Sequence, residues 1–257
     1  MGLILIGASA SLVAGLMTGV GALPVLFGRQ VIPRTRDMML GFAAGVMLSA
    51  SFFSLIVPGI EAGEALYGTR GMSALVSAAG IAAGAAMVAG LNAILPHRHF
   101  VSGPEGADPG RLSKIWLFVF AITIHNFPEG LAVGVGFGGG DIANGMALAT
   151  GIGLQNAPEG LAVALALRGQ GYRAGFAFLV ALLTGLIEPV GGLIGVSAVQ
   201  ISAQLLPPGL SLAAGAMLYI ISHEIIPETH RHGHQAAATA GLLAGLIAMM
   251  MLDVSLG

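Results

Sequence analysis

Two stretches of the chain put groups able to bind a metal ion into apolar surroundings. "IHNFPEGLAVGVG" carries His125, Asn126, Pro128 and Glu129, and thirty residues on "LQNAPEGLAVALA" repeats the pattern with Gln155, Asn156, Pro158 and Glu159. His125 and Glu129 are spaced i, i+4, so on a helix they share one face. Gln155 and Glu159 repeat that spacing. If the two faces meet, an imidazole nitrogen, two carboxylates and an amide oxygen converge, a ligand set suited to a borderline divalent ion such as Zn²⁺. Asn126 and Asn156 bear on a neighbouring second position, which Glu188 in "LIEPVGG" is placed to reach. His223 and Glu224 in "HEIIPETH" are further ionisable groups inside apolar sequence.

Such groups are costly in hydrocarbon and mark function by default. No Lys or Arg lies at matching depth along the chain. Carboxylates crowded in low dielectric without a basic partner must hold protons or share a cation. The prolines add to this. Pro128 leaves the Ile124 carbonyl without its helical donor, and Pro158, Pro189 and Pro227 do the same for Leu154, Gly185 and His223. Freed carbonyls are tolerated in a membrane where they face protein or a wet cavity. Paired interruptions in corresponding helices point to a transporter's binding site.

The elements that position these residues follow from composition. Of 257 residues, 56% are hydrophobic and 9% charged, with 41 glycines and 12 methionines; mean hydropathy is +0.90. That is too little polar sequence to cover a soluble core, and glycine suits closely packed membrane helices. The fold class expected is all-α, a polytopic membrane protein. A net charge of −2 without a basic patch gives no sign of nucleic acid, and the absence of cysteine excludes disulfides and thiolate sites.

About 20 apolar residues span the hydrocarbon. Cutting at charged and Pro/Gly-rich breaks gives eight spans, near 2–27, 38–60, 72–95, 114–138, 143–168, 173–197, 206–227 and 236–256. The first lacks a positive leading region and reads as a retained span rather than a cleaved signal. The whole of 1–257 forms one transmembrane transporter domain, with a polar, mobile cytoplasmic loop at about 96–113. Arg29, Arg34, Arg36, Arg98, Arg111, Lys114, Arg168, Arg173 and Arg231 fall on alternate loops, and only Arg70 on the opposite set. By the positive-inside rule both termini lie outside the cytoplasm.

At "HNFPEG", "QNAPEG", "EPVGG" and "HEIIPETH", together with "GFAAGVMLSASFFSLIVPGIE", the sequence resembles the ZIP family of divalent-metal transporters, in its bacterial zinc-transporting branch. The likeness runs in order along nearly the whole chain. It implies an eight-helix bundle in the cell (inner or plasma) membrane, with kinked fourth and fifth spans forming a binuclear site. His125, Glu129, Gln155 and Glu159 would make the first metal position, with Met47 a weaker contributor. Asn126, Asn156 and Glu188 would make the second, bridged by Glu129 and Glu159. Asn156 departs from relatives with Asp there, which weakens or alters the second position. The resemblance also implies a homodimer and an elevator-like movement of spans one, four, five and six.

The function expected is uptake of Zn²⁺ into the cytoplasm by alternating access, with Cd²⁺ or Fe²⁺ as further substrates, no catalytic cofactor and no enzymatic activity. His223 or Glu224 would compete for the ion on release. His230, His232 and His234, with His97 and His99, either collect metal on the cytoplasmic side or form a solvated loop. Two rival functions compete with this one. An intramembrane metalloprotease fails on geometry, because His223 and His230 are seven apart with Pro227 between them, unlike H-E-x-x-H. A channel or proton-coupled carrier for another solute is the second.

Overall fold

The structure, a computed structural model, describes residues 2–28, 31–94, 97–99, 103–105, 114–231 and 233–256. Helix α1 (Gly2–Ala22) runs into a 3₁₀ turn, Leu23–Phe27. Helix α2 (Pro33–Ala50) continues through a π-turn, Ser51–Ile56, into α3 (Val57–Tyr67), and α4 (Arg70–Ile94) follows. Helices α5 (Lys114–Gly138) and α6 (Ile142–Gly169) each run on through an internal proline, Pro128 and Pro158. The chain then forms α7 (Ala174–Gly185), α8 (Glu188–Ile201) and α9 (Leu206–Ile220). A second π-turn, Ile221–Ile225, leads into α10 (Ile226–His230), and α11 (Gln235–Leu256) ends the described chain.

Among the described residues, seven helical stretches are long and apolar enough to cross a bilayer: Gly2–Phe27, Pro33–Tyr67, Arg70–Ala93, Phe118–Gly138, Ala174–Ile201, Ala203–His230 and Gln235–Leu256. They coincide with seven of the eight expected spans. The remaining one, α6, is a 28-residue helix whose hydropathy falls short. More than half of its residues are buried in protein, and a helix shielded from lipid by its neighbours has less need of an apolar surface. Large apolar side chains elsewhere point outward, among them Leu5, Leu75 and Ile201, as a hydrocarbon surround requires. Of the loop expected at 96–113, residues 97–99 (β1, His97–His99) and 103–105 (β2, Gly103–Glu105) pair antiparallel. The rest of it lies outside the described residues.

Three expected spans are interrupted. Each π-turn is followed two residues later by a proline, Pro58 or Pro227. A proline ring crowds the preceding turn and brings no donor, and a widened turn there makes room for it. The sixth span is divided at Leu186–Ile187, which starts α8 afresh at Glu188 and Pro189.

The helices sort into two groups by packing. One contains α1, α5, α6, α7 and α8, in which α5 lies against α8 and α1 against α6. The other contains α2, α3, α4, α9, α10 and α11, with α2 against α11 and α4 against α9. Contacts of α6 with α2 and of α5 with α9 join the groups. The pairing of α2 with α11 rests on reciprocal glycines. A Cβ on Gly41 or Gly45 would strike the carbonyl of Ala238 or Leu242, and one on Gly241 or Gly245 that of Met38 or Phe42. Small residues four apart let two backbones touch where lipid gives no hydrophobic drive.

An aromatic cluster marks one end of the first group. Trp116 Nε1 donates to the Tyr172 hydroxyl at 3.1 Å, and Tyr172 stacks on Phe176. Arg168 donates to the Tyr172 carbonyl beside it. Rings with one polar handle beside cationic side chains suit the membrane–water boundary.

Candidate metal centre

Helix α5 presents His125, Asn126 and Glu129, α6 presents Gln155, Asn156 and Glu159, and the first turn of α8 presents Glu188. None of the seven is more than 2% exposed. The i, i+4 spacing does bring the two faces together. Gln155 Nε2 donates to Glu129 Oε1 at 2.7 Å, and Asn156 Nδ2 donates to Glu188 Oε1 at 2.7 Å and to the Ala14 carbonyl of α1 at 2.8 Å. The amide of Asn156 is fixed in sense by this pair, since a carboxylate and a carbonyl can only accept. Glu129 lies within electrostatic reach of Glu159 and Glu188, and Glu159 within reach of His125.

The remaining polar atoms are mostly acceptors. Glu129 Oε2, Gln155 Oε1, Asn156 Oδ1, Glu188 Oε2, Asn126 Oδ1 and both oxygens of Glu159 are buried without a hydrogen-bond partner. A buried polar atom left unpaired costs about 1–3 kcal/mol. Seven buried oxygens without a donor, contributed by α5, α6 and α8, are acceptors of the kind a cation satisfies. As they stand, though, no three His, Asp or Glu side chains among the described residues are gathered closely enough to hold an ion. An N–H of Gln155 occupies one oxygen of Glu129, and an N–H of Asn156 one oxygen of Glu188.

The glycines of the paired motifs have a packing role that spacing does not reveal. A Cβ on Gly130 would run into the Glu188 carbonyl, and one on Gly160 into that of Thr18. Each Glu–Gly pair therefore sets a carboxylate one residue before a point of backbone contact, which brings α8 to α5 and α1 to α6. Ser11 of α1 approaches the Gly130 carbonyl at 3.4 Å. We expect Gly130→Val to force α8 away and lower the stability of the detergent-purified protein by about 3 kcal/mol. Thermal unfolding checks this, and an unchanged midpoint would contradict the packing argument.

The other expected site residues lie around this set. Met47 is fully buried in the larger apolar core, which also holds Ala132, Val133 and Ile152. His223 is half-buried, its ring 4.9 Å from that of Tyr219 one turn earlier. Glu224 reaches the site's edge: its Oε2 lies 2.7 Å from His125 Nε2, a charge contact whose angle leaves that nitrogen without a hydrogen bond. Asn92 Nδ2 donates to Glu224 Oε1 at 3.1 Å. Asn92 was missed by the sequence reading, although a lone amide in "AGLNAIL" was the available signal. Asp253, bonded by Ser54 Oγ at 2.6 Å, was missed too.

The histidines near α10 have structural partners. His230 Nδ1 lies 2.9 Å from Thr229 Oγ1 and 3.0 Å from the Ile226 carbonyl, and His234 Nδ1 lies 2.9 Å from Asp37 Oδ2. Asp37 also takes Arg36, so the turn before α11 is tied to α2. His232 lies outside the described residues, as do the side chains of His97 and His99.

Known proteins resemble the chain over its whole length. A family model described as "ZIP Zinc transporter" matches residues 106–253, more than half of the chain. Zinc transporter ZIPB of Bordetella bronchiseptica is 47% identical over 257 residues, covering 100% of this chain and 82% of its own. Zinc transporter GufA of Myxococcus xanthus is 46% identical over 251 residues, with 98% and 99% covered. Zinc transporter ZIP11 of Homo sapiens is 34% identical over 322 positions, with 94% of each covered.

Proposed function

From the premise that the chain belongs to the ZIP family of zinc transporters, a divalent-metal carrier in a membrane and not an enzyme, we propose that Zn²⁺ crosses between α5, α6 and α8. In this reading His125, Glu129, Gln155 and Glu159 hold one ion, and Asn126, Asn156 and Glu188, with the two bridging glutamates, hold a second. Met47 lines the first position, and His223 and Glu224 receive the ion on its way out. The observation that carries the reading is the set of seven buried, unpartnered oxygens.

The amides Gln155 and Asn156 can present either a donor or an acceptor to the site. Gln155 donates its NH₂ to Glu129, and Asn156 donates its own to Glu188. A half-turn of the Gln155 amide replaces the donor with Oε1, so the same side chain can turn an acceptor toward an ion. Pro128 and Pro158 kink the two helices and open backbone carbonyls toward the same path.

We further read α6 as the eighth crossing, with both ends of the chain extracytoplasmic. The alternation of Arg and Lys among the loops supports this. The direction is into the cytoplasm across the cell membrane, as a homodimer, with Cd²⁺ or Fe²⁺ as competing substrates. Alternating access is a displacement of the α1, α5, α6, α7 and α8 group against the rest, supported by the way the helices pair. The test is uptake of zinc by proteoliposomes. The native protein should give saturable uptake and Glu159→Ala none, because the variant removes both unpartnered oxygens of one of the two bridging glutamates. Native-like uptake by that variant would remove the basis of the site.

A further inference from the structure

The two helix groups meet at the site's edge through a chain of three buried side chains. His125 belongs to α5 in the first group, Glu224 to the second π-turn, and Asn92 to the last turn of α4, both in the second group. Glu224 Oε2 stands 2.7 Å from His125 Nε2 while Glu224 Oε1 accepts from Asn92 Nδ2 at 3.1 Å. Both His125 and Asn92 are almost fully enclosed.

We propose that Asn92 is a positioning residue for transport, holding Glu224 against His125 so that the imidazole is aimed at the metal only while the two groups stand in this arrangement. The proposal rests on the reading of His125 as a metal ligand. A histidine ligand is oriented by what its other nitrogen meets, most often a carboxylate. Here the carboxylate lies at Nε2, and Nδ1 is the buried nitrogen left without any partner. The ring is thereby set with one nitrogen toward Glu224 and the other available to an ion.

The orienting carboxylate would ordinarily come from the ligand's own surroundings. This one comes from the opposite group of helices, on a π-turn, so its place beside His125 is not fixed by the α5 backbone. Asn92 supplies the missing constraint. An amide fixes one carboxylate oxygen through an N–H and leaves the negative charge intact, which a lysine would cancel and an aspartate would repel. When the first group slides, His125 leaves Glu224 behind and loses its orientation. Affinity for the ion then falls as the cavity turns, which is what a carrier needs in order to unload.

The proposal is tested by zinc uptake in proteoliposomes, resolved into KM and maximal rate. Asn92→Ala should raise KM by about tenfold, the scale on which outer partners of metal ligands act, with a smaller change in maximal rate. Asn92→Ser, which keeps a donor, should recover part of it. In a Glu224→Ala background, Asn92→Ala should change nothing further, since a residue acting only through Glu224 has no effect once that carboxylate is gone. A native KM for Asn92→Ala, or effects of the two substitutions that simply add, would overturn the proposal. Should Asn92→Ala fail to elute as a folded protein, Asn92→Ser decides: a native KM sinks the proposal, and an intermediate increase that vanishes with Glu224→Ala upholds it. Normal uptake by Glu159→Ala would instead bring down the site reading itself, so the two failures are distinguishable.

Discussion

A disulfide between α5 and α9 should stop transport, and reduction should restore it. A Cβ placed on Gly209 of α9 stands 4.0 Å from the Cβ of Val135 on α5, within the roughly 3.5–4.5 Å that a disulfide spans. The two residues lie on opposite helix groups. The chain has no cysteine of its own, so Val135→Cys with Gly209→Cys creates a single pair with no competing partner. A membrane-permeable oxidant should close it without moving the backbone, as mobility on a denaturing gel after protease cleavage in the 139–205 interval would record. Zinc uptake by the oxidised protein should drop to the level of empty vesicles, because in the proposed displacement each half-cycle slides α5 past α9. Dithiothreitol should bring it back. If the cross-linked protein carries zinc as fast as the reduced one, the groups do not move against each other at this point, and the displacement mechanism fails.

The second large effect is expected at Asn156. Its amide donates to both Glu188 and the Ala14 carbonyl. Asn156→Asp would put a carboxyl group against a carboxylate and a carbonyl, so without a cation it must either take up a proton or stay charged and unpaired. Leaving a buried charge uncompensated costs about 3–5 kcal/mol. With chelator present, the melting temperature of Asn156→Asp should therefore fall well below that of the native protein. Zinc should reverse the order of effects, raising the variant by more than the native chain, since added charge strengthens the second position and a ligand that binds only the folded state stabilises it. At a hundredfold excess over Kd that stabilisation is about 2.7 kcal/mol. Equal melting temperatures in chelator would show that Asn156 does not carry the load the hydrogen bonds assign to it.

These expectations divide according to what each level of structure supplies. Periodicity and apolar length were enough for the helices, and seven spans appear where the hydropathy puts them. Length is a local property, and a bilayer imposes it on each segment separately. The same rule underestimates α6, because protein rather than lipid surrounds that helix, and which helices lie inside is settled only when all of them pack. The prolines marked where helices change course. They did not tell apart the π-turns before Pro58 and Pro227, the break before Pro189, and the continuous runs through Pro128 and Pro158, since each outcome depends on the neighbour that crowds or supports the ring.

The candidate site divides in the same way. Residue type and i, i+4 spacing determined which groups share a helix face, so His125 and Glu129, Gln155 and Glu159, and the position of Glu188 could be read along the chain. The partner of each could not. That Gln155 holds Glu129, that Asn156 joins α1 to α8, and that Glu224 meets His125 with Asn92 behind it are pairings across 26 to 142 residues of sequence. A helix's own period fixes the direction in which a side chain leaves its axis. Only the contact of one backbone with another, at Gly130 and Gly160, decides what that side chain finds.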